Sequence, residues 1–224
     1  LIEYYQARRY DDAEKLSLSI TQEFPKYQFA WKVLAAVLKQ NGKINKSLVA
    51  SQKSVELGPL DVEAHNNLGI TLKDLGRLEE AEASYRHAIK LKPDLAQAHN
   101  NLGITLKDLG RLEEAEASYR QAIKLKPDLT KAHNNLGNAL KDLGRLEEAE
   151  ASYRQAIKLK PDYAEAHYNL SNNLSYMNDL EKEINALKSL LKLDVDEFGL
   201  KAGVNLAICN FLEGDFVESK KQVL

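Results

Sequence analysis

The sequence predicts an all-α solenoid of stacked antiparallel helix pairs, and three observations predict it. All five prolines, Pro25, Pro59, Pro93, Pro127 and Pro161, stand 34 residues apart. Gly42, Gly76, Gly110 and Gly144 keep the same interval, as do His65, His99, His133 and His167. Between these markers the apolar residues recur at helical spacing. Self-similarity at a fixed period is the signature of a repeat array. A helix pair of this size buries its apolar side only by stacking on its neighbours, so 224 residues read as one elongated domain, 1–224.

Laid out at this period, the chain has a partial repeat 1–27 and full repeats 28–61, 62–95, 96–129, 130–163 and 164–197, then a partial repeat 200–224. The repeat 28–61 carries Trp31 where the later ones carry His. The repeat 62–95 serves as template, because 96–129 differs from it at three positions only. Val62 to Leu75 forms a first helix and Gly76 breaks it. Leu78, Ala81, Tyr85, Ala88 and Leu91 then mark one face of a second helix. Pro93 stops that helix, and Asp94 with Gln97 is expected to cap the next, as are Asp162 and Glu165. Glu79, Glu80 and Glu82 stand at the positive end of the helix dipole, and Arg86, Lys90 and Lys92 at the negative end. Gly69, Ala81 and Ala88 leave room for helices to approach.

The repeat 164–197 departs from the pattern with Ser171 for Gly, Asn178 for the turn Gly, Glu183 for Ala and Val195 for Pro. Two extra residues follow before Leu206, Ala207 and Gly214 resume it. The array is expected to bend or loosen between Asp194 and Leu200.

Composition narrows the functional classes. With 44% hydrophobic and 29% charged residues, the chain is expected to fold throughout. Lys and Arg number 31 against 33 Asp and Glu, so no basic surplus points to nucleic acid or an anionic membrane. The single Cys209 forms no internal disulfide, and no apolar run is long enough to span a membrane. A soluble, cytoplasmic setting is the expectation. The chain opens at Leu1 without an initiator Met, which reads as a piece of something longer.

The run His65-x-x-Leu68-Gly69-x-x-Leu72, followed by Ala81, Tyr85, Ala88 and Pro93, resembles the tetratricopeptide repeat, and Trp31 stands at that family's Trp position. The resemblance covers essentially the whole chain. It implies a right-handed superhelix, with the exposed side of each first helix on the concave face.

Helical rotation sets Glu63, Asn67, Ile70 and Asp74 opposite the core positions of the first helix. One position of this stripe stays constant: Asn67, Asn101, Asn135, Asn169 and, after the insertion, Asn205. An amide offers a donor and an acceptor, the complement of a peptide group. Helices ~10 Å apart would set one Asn against about every third residue of an extended segment rising ~3.3 Å per residue. This ladder resembles the repeat domain of O-linked N-acetylglucosamine transferases, which implies that these asparagines hold a substrate protein's backbone. The alternative is a solvated or inter-repeat structural role. Neighbouring positions vary, among them Asn138 and Asn172 where other repeats carry Ile, and would set side-chain preference. Phe29, Val33 and Ala36 continue the stripe and read as packing beneath the N-terminal part, with an apolar pocket as the alternative. Lys39, Lys73, Lys107 and Lys141 form a row beside Asp74, Asp108 and Asp142; it reads as a solvated face, and the alternative is contact with an acidic peptide.

Catalytic chemistry is not expected. Zinc ligands each lie ~2.0–2.1 Å from the ion, so histidines one helix diameter apart cannot share it. They read instead as core residues, and His87 as surface filler. No phosphate loop, HExxH or nucleophile elbow occurs. No metal or cofactor is expected. The leading reading is an interaction module for extended or disordered protein segments, without nucleic acid or membrane partners. The alternatives are the substrate-binding arm of a larger enzyme such as an O-linked glycosyltransferase, and a scaffold that self-associates through its repeat ends.

Overall fold

The computed structural model describes residues 2–193 and 196–212. Among these, all regular structure is helical, and the chain divides into two compact units, Leu1–Arg111 and Leu112–Leu224.

The first unit holds α1 (Ile2–Gln6), α2 (Tyr10–Glu23), α3 (Gln28–Gln40), α4 (Ile44–Leu57), α5 (Val62–Asp74), α6 (Leu78–Leu91) and α7 (Ala96–Asp108). Each helix packs on the next, and the first helices of successive repeats also meet, α3 with α5 and α5 with α7. The second unit holds α8 (Leu112–Leu125), α9 (Thr130–Asp142), α10 (Leu146–Leu159), α11 (Ala164–Tyr176), α12 (Leu180–Leu191) and α13 (Asp196–Leu212), and repeats the scheme with α9 against α11 and α11 against α13.

The turn inside each repeat is a Schellman motif. At the end of α5, Gly76 adopts φ +72°, its N–H donates to the Lys73 carbonyl at 2.9 Å, and the Arg77 N–H donates to the Leu72 carbonyl at 2.9 Å. Arg8 and Asn178 occupy the same left-handed position at φ 58° and 56° and make the same pair of bonds. The expected caps at Asp94 and Asp162 are not formed. Helices α7 and α11 begin one residue later, after Leu95 and Tyr163, neither of which makes a side-chain cap. The backbone satisfies itself there: the Leu95 N–H donates to the Lys92 carbonyl, and the Ala96 N–H to the Asp94 carbonyl. The acid that does cap stands one position along, where the Asp61 carboxylate accepts from the Ala64 N–H at 3.0 Å.

The small residues have a specific tenant. Tyr85 and Tyr153 are fully buried, and a Cβ on Gly69 or Gly137 would lie 2.7 or 2.5 Å from the respective ring. Ser171 fits in the fifth full repeat because the residue in the tyrosine position there is Leu187. Glu183, in the Ala position, is buried. Val195 and Gly214 lie outside the described residues, as does part of the expected bend. Within the described part, α13 packs on α11 and α12, and the Phe198 ring meets Tyr168 at 5.5 Å.

Candidate functional site

The stripe expected on the first helices is present in each unit. In the first, Glu63 and Asp74 are exposed while Asn67 and Ile70 are half-buried on α5. On α7, Gln97 and Asp108 are exposed, Ile104 is half-buried, and Asn101 is buried at 9% exposure. In the second, Asn135 and Asn138 on α9, Asn169 and Asn172 on α11, and Asn205 on α13 are half-buried.

The rungs of the ladder are not equivalent. The Asn101 amide donates to Oδ1 of Asn66 at 3.2 Å, one repeat earlier, and its own Oδ1 accepts from Gln97 at 3.1 Å. The Asn169 amide donates to Oδ1 of Asn134 at 3.0 Å, and Asn134 donates in turn to Glu165 at 3.0 Å. These two asparagines therefore clamp neighbouring first helices together. Asn67, Asn172 and Asn205 make no side-chain hydrogen bond to protein among the described residues. Sequence reasoning did not identify Asn66, Asn100 and Asn134, the first members of the Asn doublets, of which Asn100 and Asn134 are buried; the doublet itself, three times at one interval, was the available signal.

Position 138 also has a structural partner. The Tyr153 hydroxyl donates to Asn138 Oδ1 at 2.8 Å, leaving Asn138 its two N–H donors. In the repeat 62–95 the equivalent residue is Ile70, and the Tyr85 hydroxyl is buried without a partner. Burial pushes both phenols above the usual tyrosine range, and the nearby Asp74 or Asp142 adds to it.

The lysine row is largely engaged. Lys39 pairs with Asp74 of the next repeat at 2.8 Å, and Lys141 lies 5.5 Å over the Tyr176 ring. Lys73 has no ion-pair partner among the described residues.

The histidines do more than fill the core. Nε2 of His65, His99, His133 and His167 lies 2.9, 3.0, 2.9 and 2.9 Å from the carbonyl of the proline six residues earlier. Trp31 Nε1 donates to the Pro25 carbonyl at 2.9 Å in the same way. A carbonyl only accepts, so each imidazole carries its proton on Nε2. Each repeat is thus latched to the end of the second helix before it. His87 is not mere filler, because its ring stacks on His65 with centroids 4.1 Å apart.

Phe29, Val33 and Ala36 are not closed over by packing. Together with residues of α1 and α5 they line a cavity of about 380 Å³. At its rim Lys32 bonds Asp61 at 3.1 Å and Glu63 at 2.7 Å. Burial opposes both charges, yet these bonds, with the Ala64 N–H and Gln28 on Asp61, hold Lys32 above and Asp61 below their usual ranges.

Family models described as tetratricopeptide repeat match residues 60–128, 118–151 and 164–196, and one described as TPR repeat matches 137–172. The chain belongs to the tetratricopeptide repeat family. Its helix pairs, turn glycines and buried tyrosines are those of a TPR array. Solved structures share this fold at low identity. The pilF protein of Pseudomonas aeruginosa matches with TM-score 0.76 and 17% identity, over 87% of this chain and 88% of that one. YrrB, described as a TPR protein with an unusual peptide-binding site, matches with TM-score 0.64 and 21% identity over 83% and 96%. The APC/C hetero-tetramer Cut9-Hcn1 matches with TM-score 0.77 and 16% identity over 98% and 43%. No curated protein matches in sequence. No helix among the described residues of this TPR chain is long and apolar enough to cross a membrane.

Proposed function

We propose that the chain is a protein–protein interaction module that holds an extended or disordered protein segment, through its backbone, against the face the first helices expose in each unit. One observation carries this reading. Asparagine recurs at one position of the stripe, through to the diverged repeats that carry Asn169 and Asn205, and at the half-buried Asn67 and Asn205 its amide has no protein partner among the described residues. An unsatisfied, half-exposed amide is the complement of a peptide group and is indifferent to side chains. The peptide-binding site named for YrrB, a protein of the same fold, supports the same class of ligand. Nothing in the reading calls for a catalytic group; the repeats bind and do not turn over.

Replacing Asn67 and Asn205 together with Ala tests the reading, because neither substitution breaks an internal bond. Capture of a polar disordered client, followed by fluorescence anisotropy, is expected to weaken by about two- to tenfold at the face of each unit, as one net hydrogen bond of roughly 0.5–1.5 kcal/mol would give. Unchanged affinity at unchanged melting temperature contradicts it.

A further inference from the structure

We propose that the cavity between α1, α3 and α5 is the side-chain anchor of this binding face, taking one large, uncharged apolar side chain of the extended client. The inference rests on the interaction-module reading above and adds a specificity to it. The cavity holds about 380 Å³, within the ~300–1,000 Å³ typical of ligand pockets. Tyr5 of α1 forms one wall without filling the space, and Phe29, Val33, Ala36 and Ile70 supply an apolar surround.

Charge selects the occupant. The rim cations are already matched, Lys32 by Asp61 and Glu63 and Lys39 by Asp74. A charged side chain would lose its water at a rim whose lysines and carboxylates already hold one another, whereas an apolar one gains by leaving water.

Asn67 also lines the cavity, and it is the rung whose freedom has a visible cause. Asn101 and Asn169 are tied to the Asn of the preceding repeat, at Asn66 and Asn134. The equivalent residue before Asn67 is Lys32, which is committed to its carboxylates. The Asn67 amide therefore keeps both donor and acceptor for the backbone flanking an anchored side chain. An apolar hole beside a peptide-complementary amide fits a hydrophobic residue within an extended segment better than it fits a free small molecule.

The test uses fluorescein-labelled 12-residue Gly/Ser peptides that differ at one central position, with Leu, Phe, Ser, Glu or Lys. The wild-type chain is expected to bind the Leu and Phe peptides at least about tenfold more tightly than the Ser peptide, the gain of burying one such side chain. The Glu and Lys peptides are expected to bind no better than the Ser peptide. Ile70→Asn should abolish the preference, so that the Leu and Phe peptides bind no more tightly than the Ser peptide. It should also fold, because Asn138 at the same position accepts from Tyr153 and the variant offers Tyr85 that partner. Ala36→Phe, which fills the cavity instead, is the second variant and should give the same loss. Equal affinity for Leu and Ser peptides, or a preference that survives both variants, overturns the anchor while leaving the backbone reading intact. Failure of every peptide to bind the wild-type chain overturns both.

Discussion

Gly137 has no room for one further carbon. A Cβ there would sit 2.5 Å from the Tyr153 ring, which is fully buried and held by Asn138, so Gly137→Ala is expected to cost about 1–3 kcal/mol in chemical denaturation. Tyr153→Leu on the same background should remove much of that clash, following the Ser171 and Leu187 pairing of the last full repeat. Additive losses in the double variant would show that ring and glycine do not meet. His65 gives a second prediction at this scale. Burial lowers its pKa, the Pro59 carbonyl raises it and the stacked His87 lowers it further, for a net fall below the ordinary value of ~6.5. As pH drops through about 6.5 the unfolded chain takes up this proton before the folded one, so stability falls with pH down to the folded pKa and then levels. His65→Trp keeps an N–H donor for Pro59, as Trp31 does for Pro25, and should make thermal melts less sensitive to pH between about 8 and 5. Identical pH slopes would remove His65 from the account.

At the scale of elements, the turns and the clamps divide the labour. The Gly turns were legible in the sequence, because a residue at φ above +70° wants no side chain and the interval repeats it. Arg8 holds the same conformation without that licence, so Arg8→Gly is expected to raise stability by about 1 kcal/mol, read as a higher denaturation midpoint. No change in midpoint would show that the left-handed Arg carries no penalty there. The helix starts were less legible. The Pro-Asp pair reads as a cap, but α7 begins one residue later, after Leu95, and the Ala96 N–H donates to the Asp94 carbonyl rather than to its side chain. The dual character of the ladder was hidden for another reason. A residue's rotation on its helix tells whether it faces solvent, but only the neighbouring helix tells whether another amide waits there. Asn134 and Asn169 should therefore be coupled. Asn134→Ala leaves the Asn169 amide and the Glu165 carboxylate short of a partner, at a cost of about 1–3 kcal/mol, and a double-mutant cycle with Asn169→Ala should return roughly 0.5–1.5 kcal/mol of interaction. A coupling of zero would make the contact incidental.

For the whole molecule, charge is spent on holding repeats together. Glu82 lies between Arg86 and Arg111 at 2.8 and 2.7 Å, and Glu116 between Arg120 and Arg145 at 2.8 and 2.6 Å, each joining two successive repeats. With a formal net charge of −2 and its ions paired in this way, the chain has little field to steer a charged partner. On the proposed reading, recognition rests on short-range contacts, the amides along the stripe and the apolar hollow beside Asn67. The periodicity and the helix pairs could be read from 34-residue spacing, and the stripe from helical rotation, although its asparagines are half-buried and Asn101 is buried. The cavity was legible only as the alternative to packing at Phe29, Val33 and Ala36, because the choice depends on how far α1 and α5 fill the space beside Phe29.

Backbone reading has a direct measurement. One extended client peptide is compared with a scrambled version that keeps its apolar anchor in place, and with a version N-methylated at backbone positions spaced three apart. The account predicts equal affinity for the first two and a loss of about tenfold or more for the third, which lacks the N–H donors an asparagine carbonyl would accept. Undiminished binding of the N-methylated peptide, or loss of binding on scrambling, would contradict it.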